Sequence, residues 1–71
     1  MIDDVSYDYF LDNKEKFLRE HAGKYIVIKN GKLCAVYVDE LSLEANARKY
    51  GHDLLILHLD KQEIKEYKLK G

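Results

Sequence analysis

Lys24-Tyr-Ile-Val-Ile-Lys-Asn-Gly-Lys-Leu-Cys-Ala-Val-Tyr-Val38 holds two β-branched apolar runs around a single Asn30-Gly31. That dipeptide readily takes positive φ at both central turn positions, as a type I′ turn requires, so the stretch predicts a β-hairpin. With a two-residue loop, Lys29 pairs with Lys32, Ile28 with Leu33, Val27 with Cys34, Ile26 with Ala35 and Tyr25 with Val36. Directly opposed residues share a face. One face then carries Ile26, Ile28, Leu33, Ala35 and Tyr37. The other carries Tyr25, Val27, Cys34, Val36 and Val38, with Lys29 and Lys32 at the tip. Neither face is polar along its length, so a hairpin of this kind asks for cover on both sides.

The flanking sequence supplies candidates for that cover. Tyr7, Phe10, Leu11, Lys14, Phe17, Leu18 and His21 recur at helical spacings and predict an amphipathic helix. Ser6 is placed to cap it, with Val5 and Phe10 as a hydrophobic staple, and Asp12 with Glu15 offers a second capping-box start. Gly23 suits the position just past the helix end. After the hairpin, Asp39 is placed to cap a second helix closed by Gly51, with Leu43, Ala47 and Tyr50 along one side and Leu41 and Ala45 beside them. The run Asp53 to Leu59 is short and almost wholly apolar, which predicts a central strand and, with the helix before it, a right-handed crossover. In the tail, Asp60 with Glu63 fits a helix cap, whereas Ile64, Tyr67 and Leu69 among charged residues fit an edge strand, the reading adopted here. The sum is one α+β domain over residues 1–71, ordered α-β-β-α-β with a further strand, two helices packed as a two-layer structure on a small mixed or antiparallel sheet.

Composition narrows the function classes. The chain has 71 residues, is 46% apolar and 35% charged, and carries 12 basic against 13 acidic side chains, for a net charge of −1. Such a balance gives no general attraction to nucleic acid or anionic membrane. Met1-Ile2-Asp3-Asp4 lacks the basic start and apolar core of a signal peptide, and no apolar run approaches a membrane span. With Cys34 the sole thiol, the expectation is a cytoplasmic protein without disulfides.

The runs Tyr9-Phe-Leu-Asp-Asn-Lys-Glu-Lys-Phe-Leu18 and Gly23-Lys-Tyr-Ile-Val-Ile-Lys-Asn-Gly-Lys32 resemble a family of small uncharacterised microbial domains. In that family a helix leads into a Gly-Lys-aromatic-aliphatic strand, an Asn-Gly or Asp-Gly turn, a second strand, an Ala-rich helix and a closing apolar strand. Leu33 to Val38, Ser42-Leu-Glu-Ala-Asn-Ala47 and Leu54-Leu-Ile-Leu-His-Leu59 stand for the later pieces, so the resemblance spans Tyr9 to Leu59. The tail is more charged than the pattern, and Leu41-Ser-Leu43 stands where acidic residues are more usual. The resemblance implies the fold and a partner-binding role; it brings no established activity.

Residues able to carry chemistry are few and scattered. His21, His52, His58 and Cys34 would have to converge to hold zinc, and their spacing is unlike a zinc site. No Cys-x-x-Cys motif or helix N-terminus activates Cys34, and the glycines at 23, 31, 51 and 71 form no phosphate loop. The expectation is therefore no enzyme, cofactor or metal. Lys24, Lys29 and Lys32 with Tyr25 and Tyr37 resemble the basic and aromatic set of single-strand binders. On the pairing above, only Lys29 and Lys32 share a face with Tyr25, and these three residues form the alternative nucleic-acid contact.

Two arrangements are open for the face with Tyr25, Val27, Cys34, Val36 and Val38. One helix on each side of the sheet would cover it. Both helices on one side would leave it bare, and a bare patch of that size is normally an interface. A chain this short has difficulty burying enough apolar surface alone, which favours the bare face. The expected function is accordingly a non-enzymatic interaction module, self-associating as a dimer or binding a partner protein through that face.

Overall fold

In a computed structural model, residues 4–70 are described. Helix α1 spans Asp4–Glu20, strands β1 Tyr25–Lys29 and β2 Lys32–Tyr37 follow, then helix α2 Glu40–Asn46 with a 3-10 turn at Ala47–Tyr50, and strands β3 Leu55–Leu59 and β4 Ile64–Tyr67. The strands form a single sheet in the order β2-β1-β3-β4, antiparallel at every pairing. The α+β class, the order of elements and the strand reading of the tail are as expected. β2 and β3 both run antiparallel to β1, hence parallel to each other, and α2 crosses over β1 between them.

The hairpin turn forms where Asn30-Gly31 places it, with φ of 53° and 75°. Next to the turn the pairing matches expectation, Lys29 with Lys32 and Ile28 with Leu33. Beyond it the register shifts: Val27 lies opposite Ala35, Ile26 opposite Val36 and Tyr25 opposite Tyr37. Cys34 is the extra residue of a β-bulge. Because side chains alternate with period two, one inserted residue sends every later side chain of β2 to the opposite face. Val36 joins the face of Ile26 and Ile28, while Ala35 and Tyr37 join that of Tyr25 and Val27.

The two-layer expectation is corrected. Each face of the sheet carries its own core, and the helices lie on opposite sides. Against one face, Phe10 and Phe17 of α1 pack on Ile26, Ile28, Leu55, Leu57 and Leu59, with Leu33, Val36 and Ile64 at the margin. Against the other, Leu43 of α2 and Ala47 pack on Val27 and Ile56. α2 has only 7 residues, too few to roof the second face. Tyr25, Tyr37, Tyr50, Leu54, Tyr67 and Leu69 complete that layer around it.

Local signals at the helix ends are partly realised. Asp39 caps α2, its carboxylate accepting the Ser42 N–H at 2.7 Å from an extended backbone. Ser6, expected as the α1 cap, instead sits inside the helix and is fully buried. Its Oγ accepts the N–H of Gly31 at 3.0 Å, tying α1 to the hairpin turn. Val5, expected before the helix as half of a staple with Phe10, lies inside α1 and is exposed, while Phe10 is buried.

Candidate functional site

The expected interface residues do not form one bare face. Val27 is fully buried beneath α2. Val36 lies on the far side of the sheet against the α1 core, displaced there by the bulge. Tyr25 and Cys34 are partly buried with the α2 cluster, and only Val38 is well exposed, at 66%. The physical reason is the placement of one helix on each face.

The nucleic-acid set is also dispersed. The Lys29 ammonium donates to the Tyr50 carbonyl at 2.7 Å, closing the 3-10 turn over the end of β1. Tyr25 sits at the opposite end of that five-residue strand, roughly 13 Å away at the usual rise. Its ring stacks on His58 with centroids 4.2 Å apart and planes 10° apart, and meets Tyr67 edge-on at 5.6 Å. One face of the Tyr25 ring is therefore already occupied. Lys32 is exposed. Replacing Lys29 by Met, which keeps the aliphatic stem and removes the donor, should cost about 1–2 kcal/mol. Lys32→Ala should change stability by less than about 0.5 kcal/mol. Urea unfolding followed by circular dichroism measures both.

His21, His52, His58 and Cys34 lie at the end of α1, in the loop before β3, in β3 and in β2. Among the described residues, no three His, Cys, Asp or Glu side chains are arranged to share a metal ion. A cavity of about 420 Å³ opens between the loop before β3 and the tail, lined by His52, Asp53, Leu54, Tyr67 and Leu69. A groove of about 530 Å³ runs between α1 and β4, past Tyr7, Lys14, Leu18 and Ile64. No helix is long and apolar enough to cross a membrane among the described residues.

A polar cluster, not foreseen from the sequence, fastens the tail to α2. The Tyr67 hydroxyl donates to the Glu44 carboxylate, which also accepts from the Lys70 N–H at 3.1 Å and pairs with Arg48 at 2.9 Å. Arg48 in turn donates to the Lys70 carbonyl, and the Lys70 ammonium lies 3.6 Å from Glu40. The Tyr67 hydroxyl, then the Lys70 N–H and Arg48, hold the Glu44 carboxyl below its ordinary pKa. The same bond raises the pKa of Tyr67. A carboxyl depressed in the folded state stabilises it above the unfolded pKa, ordinarily about 4.3 for glutamate, and that contribution is lost as acidification passes the folded value. Amide exchange at Lys70 should therefore accelerate below about pH 4 relative to other tail amides. In Glu44→Gln, this acid-dependent release should vanish.

The sheet edges remain. β4, the outer strand on one side, sets the adjacent charges Lys65 and Glu66 between Ile64 and Tyr67, and charged residues on an edge discourage unwanted pairing. β2, the outer strand on the other, has no charged residue from Leu33 to Val38. Among the described residues no strand pairs with its outer side, and its side chains from Leu33 to Tyr37 are all half-buried. Past its end stand two of the most exposed apolar side chains, Val38 at 66% and Leu41 at 81%. By sequence spacing Leu41 flanks the packed side of α2. Its exposure follows from how α2 is rolled onto the sheet by Leu43 and Ala47, which a single-helix pattern does not specify. No family model, curated protein or solved structure matches the chain.

Proposed function

We propose that the chain is a non-enzymatic interaction module that accepts an extended segment of a protein partner along the outer edge of β2. The observation that carries this reading is the contrast between the two edges. Unpaired backbone groups along an uncharged run such as Leu33 to Tyr37 form a template for strand addition, in which main-chain hydrogen bonds supply affinity and alternate side chains supply selectivity. The charged β4 edge lacks that character. The interface thus moves from a sheet face, which the helices cover, to a sheet edge, which they leave open.

The test compares capture by the tagged wild type and by Val38→Lys/Leu41→Lys, with nuclease present, followed by amide exchange on the captured complex. Both substituted side chains are exposed, so the fold should be retained. The expected result is a protein held by the wild type, lost from the double variant, and protecting amides of Leu33 to Tyr37. Equal capture by both proteins, protection confined to other elements, or retention only of nucleic acid when nuclease is omitted would overturn it.

A further inference from the structure

We propose that the segment docked on β2 is β2 of a second copy, paired antiparallel about a twofold axis perpendicular to the sheet. This rests on reading the β2 edge as the docking edge, and names its occupant. Two such copies would form one continuous sheet with the β4 strands at its outer edges.

Symmetry restricts the register. In an antiparallel pair related by a twofold axis, opposed residues must lie on the same face of their respective sheets. Beyond the bulge, Ala35 and Tyr37 share one face and Val36 lies on the other. Centring the pair on Val36 satisfies the condition: Val36 meets Val36 of the second copy, and Ala35 meets Tyr37, small against large. Val38 and Leu41, both exposed, stand just past the last paired residue and extend the apolar contact there.

Charge favours the same arrangement. β2 begins at Lys32 and is followed by Asp39-Glu40. Antiparallel pairing brings the basic start of each strand to the acidic end of its neighbour, whereas parallel pairing would set Lys32 beside Lys32. The same operation applied to β4 gives the opposite result. The two registers that overlap more than one of its four residues set either Lys65 against Lys65 or Glu66 against Glu66. Like charges directly opposed are destabilising. One edge therefore accepts a copy of itself and the other repels it, which closes the assembly at two chains instead of a growing sheet.

The test is sedimentation equilibrium on the purified chain across the micromolar range, under reducing conditions, with amide exchange on the same samples. A dimer protecting Ala35, Val36 and Tyr37 is expected. Val38→Lys/Leu41→Lys should weaken it by about 100-fold or more, roughly tenfold for each 1.4 kcal/mol lost. Lys32→Glu should weaken it by about tenfold, and Lys32→Glu/Glu40→Lys should restore most of that loss. Thermal melts of each variant verify folding. A monomer throughout, a dimer indifferent to these changes, or protection away from β2 would overturn the proposal. If the chain is a monomer whose β2 amides become protected only by a captured different protein, the edge-docking reading stands and the second copy falls. A monomer whose β2 no protein protects overturns both.

Discussion

Val27→Lys should abolish folding. Val27 is fully buried between β1 and α2, against Leu43, Ala47 and Ile56. The site is apolar, so an ammonium there must either shed its charge or pull the layer open for water, a cost of several kcal/mol or more. A chain of this size has a total stability of only about 4–10 kcal/mol. Far-ultraviolet circular dichroism at 25 °C should show the loss of helix and sheet in the variant. A cooperative thermal transition close to that of the wild type would mean that this face lies open, returning the interface to Val27 and its neighbours. Val38→Lys is the contrasting case: its side chain is exposed, and the change should move stability by less than about 0.5 kcal/mol.

Phe17→Ala should have the second largest effect, through loss of volume instead of gain of charge. The Phe17 ring is 3% exposed and lies 6.1 Å from the ring of Phe10, nearly parallel to it, and 5.8 Å from that of Tyr9. Truncation leaves a cavity between α1 and the sheet that neighbouring side chains fill only in part, at about 3–5 kcal/mol. For a domain of this length that lowers Tm by about 12 °C or more. Leu11 belongs to the same apolar stripe of the sequence, yet it is 48% exposed. Leu11→Ala should therefore cost less than about 1 kcal/mol. Paired calorimetric melts decide the matter: equal losses would mean that α1 is rolled differently on the sheet.

The difference between Phe17 and Leu11 shows where local reading ends. A 3.6-residue pattern identifies a helix and the broad side it buries, but the sequence stripe is wider than the strip of sheet beneath it. Ser6, Phe10 and Phe17 occupy the buried line. Tyr7 and Leu11 fall on its exposed flank, Tyr7 beside the groove toward β4. Ser6 is a related case. A small polar residue near a helix start reads as a cap, and only the approach of the hairpin turn, with its Gly31 N–H seeking an acceptor, gives it a different partner.

What the sequence determined by itself was a set of features governed by neighbours along the chain. The Asn30-Gly31 turn, the Asp39 cap, the helical spacing of α1, the apolar run of β3 and the charged residues within β4 are each complete within a few residues, and each appears where it was expected. What the tertiary structure decided was everything that depends on parity and side. The bulge at Cys34 carries no glycine or other local signal, yet its one extra residue reverses the faces of Ala35, Val36 and Tyr37. A hairpin apolar on both sides contains no alternation to say which helix takes which face, so the placement of α1 and α2 follows from how the assembled sheet buries both sides at once. That placement covered the face expected to be bare, with α2 and the tyrosine and leucine side chains around it, and no strand was added along the outer side of β2 among the described residues.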